Sequence, residues 1–423
     1  MASKIAIIGT GYVGLTTGAC FAHLGHEVIC ADIDPAKVER LQRGELPIYE
    51  PGLPQIVAEA TRAGRLTFVV GAAVAAAQCE FAYLCVPTPQ GDDGSADLSF
   101  IEQAAREIAP VLPLNAVVVN KSTVPVGSAK VVERVLARPD VKVVSNPEFL
   151  REGSAVGDFL KPDRIVIGSD DQSAAIRVAS LYLGISAPLI VTDPASAETI
   201  KYAANAFLAT KISFINAVAA ICENVGADVN DVVLGIGYDK RIGHDFLRPG
   251  PGWGGSCFPK DTRALVKIAE DADYDFNLLK GVIVVNDEQR ERMVAKVRAA
   301  VGGNLSGAVV AAWGLTFKAN TDDLRESPAL AIIEDLVREG AIVKAYDPQV
   351  GRQLPGIEVG SDALSVCDGA AALLVLTEWD EFRWIDLHDV RQRLAGSAIV
   401  DTRNLLDRAA ALRAGFNYQG VGR

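Results

Sequence analysis

Short apolar runs punctuate the first third of the chain. Ile5–Ile8, Val28–Ala31, Leu66–Val70, Phe81–Val86, Val117–Val119 and Val141–Val144 are continuous rather than alternating. A continuous run of this length predicts a strand buried on both faces, as in a parallel sheet. Between the runs, stretches such as Val13–Leu24 and Ile101–Val111 carry helical periodicity. Strand and helix in alternation predict a doubly wound α/β domain.

The pattern changes at Asp193-Pro194, a good N-cap followed by a good first helical residue. No Pro or Gly interrupts the chain from there to Val225, and Gly226 is a natural stop. A helix of that length is about 48 Å long. It reads as a domain-spanning connector or a dimer core, and it also carries Lys201 and Asn205 one turn apart on one face. A second α/β alternation starts near Ala308. Ala308–Trp313, Ile342–Tyr346, Ala371–Leu376 and Ala398–Val400 read as strands, and Ser327-Pro328 caps a helix that ends at Glu339-Gly340. The expected fold is α/β, two Rossmann-like doubly wound domains joined by a long central helix, with boundaries at 1–193, 194–300 and 301–423.

Composition narrows the partners. The chain has 423 residues, enough for two or three domains, and is 49% hydrophobic. Lys and Arg total 41 against 53 Asp and Glu, a net charge of −12. That balance argues against nucleic acid or an anionic membrane surface as main partner. The 7 cysteines show no CxxC pair and no His-rich neighbourhood, so neither a disulfide framework nor a metal site is expected. Reduced thiols fit a cytoplasmic location. The apolar stretch Leu66–Ala77 is too short to span a bilayer, and no secretory signal is expected where Lys4 leads straight into a strand.

Gly9-Thr10-Gly11-Tyr12-Val13-Gly14 is a G-x-G-x-x-G that follows a predicted strand and opens a predicted helix. Its glycines allow a tight turn and close approach of backbone N–H groups to a pyrophosphate. Asp32, 18 residues after Gly14, ends the next strand. A carboxylate there accepts from ribose hydroxyls and repels a 2′-phosphate, which favours NAD over NADP. Lys37 reads either as a ribose contact or as a solvated helix charge.

The other dense signal is Pro249-Gly-Pro-Gly-Trp-Gly-Gly-Ser-Cys-Phe-Pro-Lys-Asp261. A thiol in a glycine-rich loop, ahead of a helix expected to start near Asp261 and beside Lys260, is placed for thiolate chemistry rather than packing. Asp261 is a candidate general acid or base. Thr123, in Lys121-Ser-Thr-Val-Pro125, falls at a strand's C-terminal edge, where α/β sheets bind ligands. Glu148 and Glu152, in Asn146-Pro-Glu-Phe-Leu-Arg-Glu152, follow the next strand. Lys201 and Asn205 could hold an oxyanion or orient a water.

These segments, with Gly237–Asp261 and Phe317–Pro328, resemble the UDP-glucose/GDP-mannose 6-dehydrogenase family along the whole chain. Gly237-Tyr-Asp-Lys-Arg-Ile-Gly243 and Phe258-Pro-Lys resemble its glucose-oxidising members most. The resemblance implies NAD-dependent four-electron oxidation of UDP-glucose at C6 to UDP-glucuronate, through a cysteine thiohemiacetal and thioester. GDP-mannose or a UDP-N-acetylhexosamine is the alternative substrate. A two-electron dehydrogenase and a non-catalytic sensor are the rival readings. It implies that Cys257 is the nucleophile and that Lys201, Asn205, Asp261, Thr123 and Glu148 support it. Cofactor contacts are implied at Gly9, Gly11, Tyr12, Val13, Gly14, Asp32, Lys37, Thr88, Thr123, Glu152, Lys260 and Arg325. Substrate contacts are implied at Glu148, Phe149, Leu150, Lys201, Asn205, Phe246, Leu247, Arg248, Gly250, Gly254, Phe258, Phe317 and Lys318. Arg241 matches a residue donated across a dimer interface. The first domain would then bind NAD, the middle segment would dimerise and carry the catalytic loop, and the last domain would bind the nucleotide sugar.

Overall fold

The computed structural model describes residues 2–91 and 96–423. It contains two units, Met1–Ala204 with Arg263–Ala272, and Asn205–Thr262 with Asp273–Arg423.

In the first unit the strands are β1 Lys4–Ile8, β2 Glu27–Asp32, β3 Leu66–Val70, β4 Phe81–Leu84, β5 Val117–Asn120, β6 Lys142–Ser145, β7 Ile165–Gly168 and β8 Leu189–Thr192. They form one sheet in the order β3-β2-β1-β4-β5-β6-β7-β8. β4 and β5 are buried along their whole length, as their unbroken apolar sequences require. The sheet order reverses between β1 and β4, so the crevice beyond their C-terminal ends is the topological switch point. Helix α1 Tyr12–His23 starts there. β7 and β8 go beyond the expected strand set, and β7 breaks the all-parallel pattern. It meets β6 antiparallel at the single pair Ser145–Gly168. β8 closes the sheet as an exposed edge.

The second unit repeats the plan. Strands β9 Val309–Trp313, β10 Ile342–Tyr346, β11 Ile357–Val359, β12 Ala372–Val375, β13 Ala398–Asp401 and β14 Asn417–Gln419 pair in parallel in the order β11-β10-β9-β12-β13-β14. Its core joins β9, β10 and β12 to helices Asn277–Ala300 and Pro328–Arg338 through Met293, Val297, Ile332 and Leu336. Ser327 caps the second of these helices by accepting from the Leu330 amide, with Pro328 in the first turn.

Helix α2 Ser128–Leu136 follows β5, and the long helix α3 runs Pro194–Val225 as its unbroken sequence predicts. By length and composition α3 could cross a membrane. Its residues Ala197, Tyr202, Ala209, Ile215, Ala219 and Cys222 are buried in protein, which makes it a core helix.

Candidate functional site

At the switch point of the first unit the turn Gly9–Gly14 is shaped for close backbone approach. Gly9 has φ +99° and a side chain there would strike the Cys85 carbonyl oxygen at 2.7 Å. A Cβ on Gly14 would lie 1.9 Å from the Gly9 oxygen. Among the described residues, no atom lies within 4 Å of a Cβ on Gly11, and as N-cap of α1 it offers no side-chain cap to the first amides of the helix. Uncapped amides beside open space fit a pyrophosphate. Asp32 accepts from the Thr10 amide at 3.0 Å and from Lys37 Nζ at 2.8 Å. Burial pushes its carboxyl up, but the hydrogen bonds from Lys37 and Thr10 prevail and hold it at about 2. The carboxylate is thus ionised and only lightly exposed, as a ribose acceptor needs. Lys37 pairs with this carboxylate rather than standing as an isolated surface charge.

Two buried carboxylates stiffen the surrounding loops. Glu50, 3% exposed, accepts from the Tyr12 hydroxyl and from the Gly153 amide at 2.7 Å. It joins the glycine-rich turn to the segment after Glu152. Glu198 on α3 accepts from the amides of Gly127 at 2.6 Å and Ala129 at 3.1 Å, and from Ser145 Oγ. It therefore caps the N-terminus of α2, although burial pushes its carboxyl up.

Thr123 and Glu148 stand at the C-terminal edges of β5 and β6. The Thr123 carbonyl accepts from Thr88 Oγ1 at 2.9 Å, which places Thr88 in the same corner. Glu148 Oε1 accepts from Lys201 Nζ at 2.9 Å, both side chains about 5% exposed or less. Glu148 also takes the Leu150 amide at 2.6 Å. The Phe149 ring carries Arg164 over its face at 3.5 Å and Lys201 at 5.5 Å. A buried ammonium fixed by one carboxylate is a strong local source of positive potential.

In the second unit Asp261 is fully buried. It accepts from Asn205 Nδ2 at 2.6 Å and from Lys260 Nζ at 2.7 Å. Helix Phe258–Asp271 begins three residues before the expected start at Asp261. Pro259 belongs to its first turn, where proline is tolerated. Cys257 therefore directly precedes the helix, where its dipole favours a thiolate. It is also the one cysteine of the seven that is not buried. Burial pushes the Cys20, Cys85 and Cys367 thiols up to about 12.

The loop before Cys257 is wedged in place. A Cβ at Gly254 would meet the Glu326 oxygen at 2.0 Å, and one at Gly255 the Phe317 ring at 2.7 Å. The Gly250 amide donates to Asn216 Oδ1 at 2.8 Å and its carbonyl accepts from Gln289 Nε2 at 2.7 Å. Phe246 takes a left-handed φ of 64°, unusual for a bulky residue and a mark of local strain. Its ring lies 6.3 Å from that of Phe258, and Leu247 is buried. The Lys318 ammonium lies 5.6 Å from the Phe317 ring. Arg241 and Arg325 are held at the surface by Asp239 and Asp323.

The second sheet does not offer a second dinucleotide cradle. Asp347, just after β10, corresponds to Asp32 at the end of β2. Its carboxylate is 2% exposed and takes the Leu315 and Thr316 amides, the Thr316 hydroxyl and Trp379 Nε1. Buried this deeply, the carboxylate is closed to a ribose.

Glu50, Glu198, Arg164, Asn216, Gln289 and Asp347 escaped the sequence reading. Glu198 had a usable signal, being three residues before Lys201 on one helix face.

The fold and the first unit's turn define a dinucleotide-dependent dehydrogenase of α/β architecture. Models of the UDP-glucose/GDP-mannose dehydrogenase family match at residues 3–186 (NAD binding domain), 195–288 (central domain) and 311–408 (UDP binding domain). The chain belongs to that family, and its cofactor is NAD. It is 47% identical to a UDP-glucose 6-dehydrogenase of Rhizobium meliloti (strain 1021), over 99% of both chains. It is 46% identical to UDP-glucose 6-dehydrogenase TuaD of Bacillus subtilis (strain 168), over 99% of this chain and 93% of that protein. Among solved structures, a UDP-glucose dehydrogenase from the hyperthermophilic archaeon Pyrobaculum islandicum superposes with TM-score 0.92 at 37% identity, covering 100% of this chain and 98% of that one.

Proposed function

We propose that this enzyme oxidises C6 of UDP-glucose to the carboxylate of UDP-glucuronate in two two-electron steps, with the intermediate held covalently on Cys257. The observation that carries the reading is Cys257 itself, the one cysteine of the seven that is not buried, set at a helix N-terminus. Bound NAD supplies the chemistry of hydride acceptance, one NAD for each two-electron step. Gly9, Gly11, Tyr12, Val13, Gly14 and Asp32 hold it, with Lys37, Thr88, Thr123, Glu152, Lys260 and Arg325 as further contacts.

Asp261 and Thr123 hold a water that takes the C6 hydroxyl proton. The Cys257 sulfur then adds to the aldehyde carbon to form a thiohemiacetal, and Lys201 and Asn205 stabilise its oxyanion. Loss of the second hydride leaves a thioester. Water activated near Asp261 or Glu148 adds to that carbonyl, the C–S bond breaks, and the thiol and carboxylate are released. Phe149, Leu150, Phe246–Arg248, Gly250, Gly254, Phe258, Phe317 and Lys318 hold the nucleotide sugar. Residues 1–193, 194–300 and 301–423 divide the work into NAD binding, dimerisation with the catalytic loop, and nucleotide-sugar binding.

The enzyme acts as a homodimer. Phe207, Phe214 and Ile221 on α3 are 65%, 56% and 60% exposed and recur every seven residues, an apolar stripe that a second copy would cover. Arg241 reaches the partner. Seven free thiols suit the cytoplasm.

The test of substrate is kcat/KM for UDP-glucose, GDP-mannose and UDP-N-acetylmannosamine. UDP-glucose should lead by at least about a hundredfold, the discrimination a polar pocket achieves readily. A higher value for either competitor would overturn the assignment.

A further inference from the structure

β5 ends on Asn120, which is 1% exposed. Among the described residues, neither its amide nitrogen nor its amide oxygen has a partner. A primary amide carries two donors and an acceptor, and burying all of them unanswered is strongly disfavoured. The side chain lines a small cavity with Ser122, Thr123, Ser145, Glu198 and Lys201, and with the apolar Val124 and Pro147. Five of the side chains around Asn120 are polar, which gives a water there groups to bond.

The fixed neighbours show what the cavity would bind. Glu198 offers carboxylate oxygens whose other partners are the α2 amides and Ser145. Lys201 lines the same cavity and donates to Glu148 at 2.9 Å. Ser122 Oγ donates to the Val86 carbonyl at 2.7 Å, leaving its oxygen lone pairs as acceptors.

We infer that this cavity is a structural water site and that Asn120 is a positioning residue for Lys201. A water there accepts from the Asn120 amide and the Lys201 ammonium and donates to the Glu198 carboxylate. The amide oxygen of Asn120 takes a donor in return. The bridge fixes the ammonium in one rotamer beside Glu148, so that its charge is in place before the oxyanion forms. Asn120 touches neither substrate nor cofactor in this scheme. The role assigned to Lys201 rests on the proposed function, whereas the water site does not.

Two measurements test the inference. A crystal structure of the wild-type protein at a resolution that shows solvent should reveal a water within hydrogen-bond distance of the Asn120 amide and Lys201. A dry cavity would overturn the inference without touching the assigned activity. In kinetics, Asn120→Leu removes the polar atoms at similar volume, and Asn120→Ser restores a hydroxyl with room for water. The leucine variant should lose about ten- to a hundredfold in kcat with KM for NAD and UDP-glucose unchanged, and the serine variant should recover most of it. An unchanged kcat in a folded Asn120→Leu protein would refute the positioning role. If wild type fails to oxidise UDP-glucose at all, the assigned activity falls and the density still decides the water site.

Discussion

Adding one methyl group at Gly11 and one at Gly14 should separate the two jobs of the dinucleotide turn. Gly14 is a packing glycine. Its Cβ would sit 1.9 Å from the Gly9 oxygen and 3.0 Å from the Cys85 Cβ. The Gly9 carbonyl cannot simply retreat, because Gly9 is wedged against Cys85 and its amide is bound to the Ala31 oxygen at 2.8 Å. Opening about 1 Å there is overpacking, and Gly14→Ala should cost about 1–3 kcal/mol of stability. That corresponds to about 2–4 °C in Tm per kcal/mol for a unit of this size. Gly11 has φ −70° and, among the described residues, nothing within 4 Å of a Cβ there, so the free protein accepts alanine without strain. Gly11→Ala should leave stability within about 0.5 kcal/mol. The methyl instead enters the space where the pyrophosphate approaches. Losing one charge-assisted hydrogen bond there is worth about 1.5–3 kcal/mol. Kd for NAD should therefore rise about 10- to 150-fold. Urea denaturation and calorimetric titration with NAD read the two effects separately. A Gly11→Ala protein that binds NAD as tightly as wild type would refute the cradle.

Other consequences are as specific. Asp347→Ala strips the acceptor from two buried amides, a hydroxyl and the Trp379 indole, and should cost about 3 kcal/mol or more in urea denaturation while NAD affinity is kept. Folding lowers the Asp32 carboxyl to about 2, so its contribution to stability is complete at neutral pH and is lost as pH falls from about 4 through about 2. Asp32→Asn should flatten the urea midpoint over that acid window, and an unchanged slope would contradict the assignment. Phe214→Glu places a charge in the apolar stripe of α3 and, if the proposed homodimer forms there, should give a monomer by light scattering where wild type gives a dimer. A dimer that persists would move the interface elsewhere.

The main architecture was readable because parallel strands buried on both faces leave unbroken apolar runs, and because α3 has no Pro or Gly from Ala195 to Val225. β7 and β8 were harder to see. β8 is a short exposed edge whose Leu189, Ile190 and Val191 are 47%, 41% and 53% exposed, so its sequence lacks a buried context. The helix starts at Phe258, three residues before the expected Asp261, because Pro259 in the first turn costs no hydrogen bond. The Cys257 loop and the glycine-rich turn stood out, since glycine spacing is a local constraint written in local sequence. Buried polar residues did not. Glu198 and Asn120 look in sequence like ordinary solvated side chains, and only the packing of β5, β6, α2 and α3 makes them interior groups. Asp347 shows the same limit in reverse. It occupies the position equivalent to Asp32, and only its hydrogen bonds reveal that it is closed to a ribose.

The central claim is that one thiol carries the sugar through two oxidations. The measurement that tests it most directly is the number of NADH formed per limiting UDP-glucose, for wild type and for Cys257→Ser. Wild type should form two NADH per sugar, and Cys257→Ser should stall at the aldehyde level or trap the sugar on the enzyme. One NADH per sugar with wild type, or full two-NADH turnover in Cys257→Ser, would contradict it.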